Sequence, residues 1–276
     1  MKHAGAGVCG SVARVFTSFH EVESIRHRGE APDASGRTRE VGVLNIAHRG
    51  ASGRFPENTL RAFAAAIEAD ADMCELDVRL TSDGFLAVIH DDAVERTTNG
   101  RGAVTSFTLE ALKRLDAGVK FAPEFAGERV PTLDEVFDLA AGRCELNIEL
   151  KAAGVEPALC ELIRARRAEA STLVSSFDWD ALARIRHMAP RVRVGLLASR
   201  WPARLLGAAT EMKADAINPR FDMVTEDLCI AAHKRAINVY AWTVDDPAAM
   251  RRLIAYGVDG IMTNFPERLA RVMERR

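Results

Sequence analysis

Acidic side chains alternate with apolar ones in two short segments of the sequence. Glu75 and Asp77 stand two positions apart, and so do Glu149 and Lys151. Because successive side chains of a β-strand point to opposite faces, this spacing predicts that each pair shares one face of its strand. Where two such strands share one barrel, three carboxylates and one ammonium group converge.

Three carboxylates that face a protein interior need a positive partner, because unpaired charges away from water are costly. One interpretation is a divalent cation held by Glu75, Asp77 and Glu149. Oxygen ligands favour a hard ion, Mg²⁺ or Ca²⁺ with Mn²⁺ as a further candidate, over zinc. The other interpretation is a buried network of these acids around Lys151 that holds no metal. We predict the metal site, because further polar residues are expected at the same place.

Two histidines end apolar runs elsewhere in the chain. His48 precedes Arg49, and His90 precedes Asp91. Two imidazoles beside acids and an arginine offer what phosphate-ester cleavage requires: one group that takes a proton, one that protonates the leaving alkoxide, and cations that bind the anionic oxygens. Trp242 stands near the end of another predicted strand. It could fill the core or line the organic part of a substrate, and the sequence leaves both roles open.

The elements that position these residues are predicted to be alternating strands and helices. After Gly42, short β-branched runs alternate with amphipathic segments, a pattern typical of a parallel sheet. The predicted strands are Val43–Ala47, Met73–Leu80, Glu145–Lys151, Thr172–Phe177, Val192–Leu197, Ala214–Asn218, Asn238–Val244 and Val258–Thr263. The predicted helices are Glu57–Ala69, Leu133–Ala141, Val155–Ala168, Trp179–Met188, Pro202–Met212, Thr225–Arg235, Pro247–Tyr256 and Pro266–Glu274. Eight such units within residues 43–276 predict an α/β fold, the (β/α)₈ TIM barrel, which typically takes ~250 residues.

One connection is much longer than the others. Residues 81–132 separate the second strand from the second helix, which is too long for an ordinary loop of this kind. This segment contains a strand signal at Phe85–Ile89 and a short helix at Leu109–Leu115. Since such an insertion lies at the carboxyl ends of barrel strands, where barrel enzymes carry their catalytic residues, we expect it over the mouth that holds the acids and histidines.

The composition excludes several classes of protein. The formal net charge of the 276 residues is −2, so no basic surface for nucleic acid is expected. No apolar run approaches the ~18 residues of a membrane span, so we expect no stable membrane insertion. The 5 cysteines form no C-x-x-C pair, which favours a reducing compartment over a disulfide framework or zinc site.

The first 42 residues differ from the rest of the chain. They lack sustained periodicity and a convincing secretory signal, so we predict a disordered extension and a cytoplasmic location. The predicted TIM barrel then occupies residues 43–276. Its expected partner is a small molecule, while the oligomeric state stays open.

Ten short motifs follow one another between Leu44 and Leu269. They are His48-Arg49-Gly50, Pro56-Glu57-Asn58-Thr59, Glu75-Leu76-Asp77-Val78, Thr81-Ser82-Asp83-Gly84, His90-Asp91 with Arg96-Thr97-Thr98, Leu115-Asp116-Ala117-Gly118, Pro131-Thr132-Leu133, Glu149-Leu150-Lys151, Ala241-Trp242-Thr243-Val244 and Gly257-Val258-Asp259-Gly260-Ile261-Met262-Thr263-Asn264. In this order they resemble the glycerophosphodiester phosphodiesterase family, whose barrel carries an insertion after its second strand.

The resemblance implies a metal-dependent phosphodiesterase. Its expected substrates are glycerophosphodiesters such as glycerophosphocholine or glycerophosphoethanolamine, and its expected products are sn-glycerol 3-phosphate and an alcohol. The motifs carry over metal ligands at Glu75, Asp77 and Glu149, an acid/base pair at His48 and His90, phosphate-binding groups at Arg49 and Lys151, and an aromatic residue on the glycerol side at Trp242. None of these positions is altered, so the resemblance implies an active enzyme.

Several alternatives stay open at the level of sequence. The nucleophile is either water or the glycerol hydroxyl beside the phosphate, which would give a cyclic phosphate, and either histidine could be the acid. A phospholipase D-like enzyme acting on lysophospholipids is a second candidate function, but such relatives lack a long insertion and often carry disulfides. A non-catalytic barrel that binds a phosphodiester is the third, and binding without product release would favour it.

Overall fold

The computed structural model describes residues 42–200 and 204–274 together with two short strands before them. These strands, β1 (Ala31–Pro32) and β2 (Thr38–Arg39), pair with each other in antiparallel orientation. The predicted extension over residues 1–42 lies almost entirely outside the described residues, and so does the predicted helix start at Pro202.

A nine-stranded sheet forms the centre of the molecule. Its strands are β3 (Leu44–His48), β4 (Met73–Leu80), β5 (Leu86–Val88), β6 (Glu145–Leu150), β7 (Thr172–Ser176), β8 (Arg193–Ala198), β9 (Ala216–Pro219), β10 (Asn238–Ala241) and β11 (Gly260–Thr263). The order is β3-β11-β10-β9-β8-β7-β6-β4-β5, and β3 also pairs with β4, which closes eight parallel strands into a barrel. The predicted TIM barrel is confirmed.

Helices alternate with the barrel strands along the chain. They are α1 (Leu60–Glu68), α2 (Leu109–Lys113), α3 (Leu133–Ala140), α4 (Glu156–Arg166), α5 (Trp179–Met188), α6 (Leu205–Glu211), α7 (Glu226–His233), α8 (Pro247–Tyr256) and α9 (Pro266–Glu274). Among the described residues, no helix is both long and apolar enough to cross a lipid bilayer.

Side-chain caps explain two helix ends that differ from the predicted ones. The first helix begins at Leu60 instead of Glu57 because the Thr59 hydroxyl accepts a hydrogen bond from the Ala62 N–H. Likewise, α7 begins after Thr225, whose hydroxyl accepts from a backbone N–H of the first turn. In both cases a threonine that the sequence places within the helix is the N-cap residue, and the helix begins one residue after it.

Side chains alternate along the barrel strands as the sequence pattern predicts. Leu76 and Ile148 are fully buried in the main apolar core, together with residues of the surrounding helices. A separate apolar cluster fills the barrel interior, comprising Ile46, Met73, Leu173, Ala216, Tyr240 and Met262. His48 and Glu75 each follow a member of this cluster by two residues. The polar side chains therefore face inward near the carboxyl ends of their strands.

The predicted insertion over residues 81–132 has its own structure. It begins with a tight turn in which Gly84 has a φ of +84°, a conformation that favours glycine, and returns along β4 as the antiparallel strand β5. Its small apolar core contains Ala87, Ile89, Val94, Val104, Leu112, Ala117 and Val130. The insertion therefore packs around its own centre and presents His90 from the end of β5.

Candidate active site

Adjacent strands bring the three acidic residues together. The register of β4 and β6 pairs Asp77 with Glu149 directly, and Glu75 lies two residues before Asp77 on the same face. One ligand atom from each of Glu75, Asp77 and Glu149 lies within 4.8 Å of the other two. All three residues are buried, so the predicted convergence of carboxylates is present.

The electrostatics of this triad fit a divalent cation. Burial and the charge of Asp77 raise the pKa of Glu75 to about 8, and the same two causes raise the pKa of Glu149 to about 7. Burial also opposes ionisation of Asp77, but Arg49 and Lys151 hold its pKa below the usual value. Within the described chain, Asp77 Oδ1 is buried without a hydrogen-bond partner, although Lys151 Nζ lies 3.3 Å away. Three mutually repelling oxygen ligands form a donor set suited to a hard divalent ion.

Two cations border the triad. Lys151 Nζ donates to Glu149 Oε1 at 2.6 Å. Arg49 Nε lies 3.2 Å from Asp77 Oδ2, and the Arg49 backbone N–H donates to Glu75 Oε2 at 2.9 Å. Arg49 has a φ of +55°, a rare conformation for a non-glycine residue. Both cations are thus held in place by the acids and remain partly open to the cavity.

His48 is oriented by a side chain from the opposite end of the sequence. Its Nδ1 lies 2.7 Å from Asn264 Oδ1, and Asn264 Nδ2 donates to Asp245 Oδ2 at 2.7 Å. The Asn264 oxygen is therefore the acceptor, which assigns the proton to Nδ1 and leaves Nε2 without one. Nε2 lies 3.9 Å from Glu75 Oε2. Burial and the charge of Arg49 lower the pKa of His48.

His90 has a carboxylate as its partner. Its Nδ1 lies 2.6 Å from Asp91 Oδ1. Hydrogen bonds from Arg96 and from His90 lower the pKa of Asp91 to about 2, so this carboxylate stays ionised. Burial lowers the pKa of His90, against the charge of Asp77. The two histidines therefore differ in the group that accepts the Nδ1 proton, a neutral amide for one and an anion for the other.

These residues surround one cavity of about 150 Å³. Its polar side is lined by His48, Arg49, Glu75, His90, Glu149 and Lys151, and its apolar side by Phe177, Leu197, Trp242 and Met262. The rings of Phe177 and Trp242 meet edge to face with centroids 5.6 Å apart, and Trp242 Nε1 donates to the Asn218 carbonyl at 2.7 Å. Trp242 thus lines the cavity, while Asp77 lies beside it within the triad.

Sequence reasoning missed several residues of this site. The motif that ends at Asn264 does not indicate that this residue orients His48, and the strand predicted over Thr172–Phe177 does not by itself assign Phe177 to the cavity. Asn147, whose inward position the alternation along its strand predicts, and Ser175 line the cavity, and their side-chain polar atoms have no hydrogen-bond partner in the described part of the chain. The same alternation along the strand that follows β6 places Ser175 and Phe177 inward and could have identified both.

Comparison with known proteins gives a consistent result. The model of the glycerophosphoryl diester phosphodiesterase family matches residues 48–268. A glycerophosphodiester phosphodiesterase of Caldanaerobacter subterraneus subsp. tengcongensis is 43% identical over 239 residues, which cover 84% of this chain and 98% of the relative. A Bacillus subtilis protein with the same name is 32% identical over 247 residues, which cover 82% of this chain and 84% of the relative.

Solved structures share the architecture. A phosphodiesterase of Oleispira antarctica, solved in complex with the product sn-glycerol-3-phosphate, has a TM-score of 0.79 and 28% identity, covering 83% of this chain and 96% of its own. A putative glycerophosphoryl diester phosphodiesterase of Silicibacter pomeroyi has a TM-score of 0.78 and 30% identity, and the match covers 85% of this chain and 94% of the other. The similarity thus extends over the whole barrel.

Proposed function

Because the chain belongs to the glycerophosphoryl diester phosphodiesterase family, we propose that it hydrolyses glycerophosphodiesters such as glycerophosphocholine and glycerophosphoethanolamine to sn-glycerol 3-phosphate and an alcohol. The observation that carries this proposal is a single cavity bordered by carboxylates, two oriented histidines and two cations. The product bound to the Oleispira relative supports the same reaction.

The carboxylates would hold the metal that this reaction uses. Glu75, Asp77 and Glu149 offer oxygen ligands from adjacent strands, and we propose Mg²⁺ or Ca²⁺, with Mn²⁺ as a further candidate. When bound, such an ion supplies positive charge that polarises the phosphoryl group. The repulsion among the three acids would then be relieved.

Arg49 and Lys151 are proposed to bind the non-bridging phosphate oxygens. Their side chains are 16% and 12% exposed, so they are largely withdrawn from water but open to the cavity. The acids hold both groups in fixed positions before substrate arrives. Cations that need no rearrangement stabilise the charge that grows on phosphorus-bound oxygens in the transition state.

The two histidines are proposed as a general acid/base pair. His48 donates its Nδ1 proton to an amide, so its free Nε2 is suited to take a proton from the nucleophile, either water or the glycerol hydroxyl. His90 donates to the anionic Asp91, which stabilises a protonated ring, so His90 is suited to protonate the leaving alcohol. The different partners support this division of roles.

The decisive experiment is a coupled assay for glycerol 3-phosphate with several head groups, run with and without EDTA. We expect turnover with added Mg²⁺, Ca²⁺ or Mn²⁺ and its loss with EDTA. Glu75→Gln and Asp77→Asn are expected to lose metal binding and activity together. Retained activity in metal-free variants would contradict the metal assignment, because the acids would then serve another purpose.

The same assay separates the competing functions. Preference for lysophospholipids over glycerophosphodiesters would favour a phospholipase D-like enzyme. Measurable binding of glycerophosphocholine without product release under any metal would favour a non-catalytic barrel. Release of glycerol 3-phosphate supports the proposal over both.

We further propose that the enzyme acts in the cytoplasm on diesters released from phospholipids. Cys74, Cys144, Cys160 and Cys229 are buried and free, as is typical of proteins from reducing compartments. Fractionation of cells that express the chain tests this location, and recovery of the enzyme outside the cytoplasm would contradict it.

A further inference from the structure

Arg96 joins two carboxylates that are far apart in sequence. Its Nη1 and Nη2 donate to Glu57 Oε2 and Oε1, both at 2.8 Å. Its Nε donates to Asp91 Oδ2 at 2.6 Å, and Nη2 also lies 3.1 Å from Asp91 Oδ1. One planar guanidinium group therefore holds two carboxylates, each by two hydrogen bonds.

Each of these carboxylates contacts a group of the active site. Glu57 Oε1 accepts from Arg49 Nη1 at 2.9 Å, and Asp91 Oδ1 lies 2.6 Å from His90 Nδ1. A continuous series of hydrogen bonds between oppositely charged groups thus runs from His90 through Asp91, Arg96 and Glu57 to Arg49. We call this series the Arg96 bridge.

We propose that Arg96 is a positioning residue, which fixes His90 relative to Arg49 and thereby aligns proton transfer with phosphate binding. The inference rests on the proposed function, because it concerns the same two groups. The described residues that line the active-site cavity include His90 and Arg49 but not Arg96. Arg96 therefore acts through its neighbours and does not touch the reacting atoms.

The bridge also connects separate parts of the fold. His90, Asp91 and Arg96 belong to the insertion, whereas Arg49 and Glu57 lie in the loop between β3 and α1. Without Arg96, two carboxylates would lose their shared cation, and Asp91 would be free to rotate away from His90. A lysine cannot replace the arginine, because a single ammonium group cannot form two paired contacts in fixed directions.

The first experiment compares Arg96→Gln and Arg96→Lys with the control Arg114→Gln. Arg114 lies in the same insertion and pairs with Glu110 at 2.6 Å, but both side chains are highly exposed. Since a displacement of about 1 Å can cost 10²-fold in rate, we expect both Arg96 variants to lose roughly 10- to 100-fold in kcat with a smaller change in KM. Arg114→Gln should match the wild type. Wild-type kcat in either Arg96 variant would overturn the proposal.

A double-mutant cycle tests whether Arg96 acts through Asp91. If both residues orient His90, Arg96→Gln combined with Asp91→Asn should lose no more activity than the worse single variant. Losses that multiply would mean independent effects and would overturn the proposal. Thermal unfolding of each variant accompanies the kinetics, because a loss of kcat that tracks a loss of Tm would indicate general destabilisation and contradict positioning.

A measurement without turnover separates this inference from the proposed function. In ¹H–¹⁵N spectra of the histidine rings, recorded above the pKa of His90 and assigned with His90→Ala, the neutral ring of wild-type His90 should be a single tautomer with its proton on Nδ1. In Arg96→Gln the ring should exchange between tautomers. An unchanged ring signal would overturn the role of Arg96 even in an active enzyme. Absence of wild-type turnover would refute the proposed function while leaving this spectral test decisive for Arg96.

Discussion

The two histidines of the site are distinguished by their hydrogen-bond partners. His48 faces the amide of Asn264, and His90 faces the carboxylate of Asp91. An anion beside Nδ1 favours a protonated ring more strongly than a neutral amide oxygen does. Chemically similar side chains can therefore take opposite roles in one reaction.

These roles predict different responses to the leaving group. We expect His90→Ala to lose roughly 10²- to 10⁴-fold in kcat/KM on a diester with a choline leaving group. The loss should be much smaller on the p-nitrophenyl diester, because p-nitrophenolate departs without a proton. His48→Ala should lose a similar factor with both substrates. Steady-state kinetics of the two variants on both diesters provide the measurement. The reverse pattern would make His48 the general acid and His90 the general base.

The acid triad predicts an effect of pH on stability. In the metal-free protein the pKa of Glu75 is raised from 4.5 to about 8 by burial and Asp77, so the folded chain binds a proton that the unfolded chain releases above about pH 5. Because the folded state then holds more protons, its stability falls as pH rises from about 5 to 8. We expect Tm in EDTA to fall across this range.

Two comparisons check this effect. Glu75→Gln removes one of the two acids with raised pKa values, the other being Glu149 with a pKa of about 7, and should reduce the decrease of Tm with pH. Added Mg²⁺ should raise Tm most at the high end of the range, where a proton no longer competes with the ion. If the Tm in EDTA depended on pH in the same way in the wild type and in Glu75→Gln, Glu75 would not be a source of the pH dependence.

At the scale of elements, the sequence predicts the strands better than the helix ends. Alternation of acidic and apolar residues on β4 and β6 is enough to place three carboxylates inside the barrel. Helix starts depend on which hydroxyl accepts a backbone N–H, as Thr59 does, and the hydrophobic pattern does not determine that. Contacts such as Asn264 with His48 join residues 216 positions apart, so they depend on closure of the barrel.

The separate core of the insertion predicts a local response to mutation. Leu112 is fully buried in this core. Leu112→Ala removes roughly 2–5 kcal/mol of packing. We expect faster amide hydrogen exchange in residues 85–130 and a lower kcat, because His90 and Arg96 lie in this segment. Exchange of the barrel helices α4 to α8 should change little.

Leu159→Ala is the matched control for this prediction. Leu159 is equally buried, but it lies in α4 and belongs to the main core of the barrel. Its truncation should lower Tm of the whole protein without a selective effect on the insertion. If Leu112→Ala instead loosened barrel and insertion alike, the two cores would not be independent.

At the scale of the whole molecule, the residues assigned to the site all lie between His48 and Asn264. We therefore propose that residues 43–276 form the catalytic unit. Deletion of residues 1–42 should leave kcat/KM within about twofold of the full chain, since no proposed ligand or acid/base group is removed. The comparison uses the coupled assay on both chains. A large loss would assign the N-terminal segment a part in catalysis.

The polar and apolar linings of the cavity come from different arcs of the barrel. Most charged groups come from β3, β4, β6 and the adjoining loops and insertion, whereas Phe177, Leu197, Trp242 and Met262 follow or belong to β7, β8, β10 and β11. Exchange of residues on the apolar arc could therefore alter which organic groups of the diester are accepted while the charged groups stay intact. Laboratory evolution of new diesterases from this scaffold would begin with libraries at those four positions.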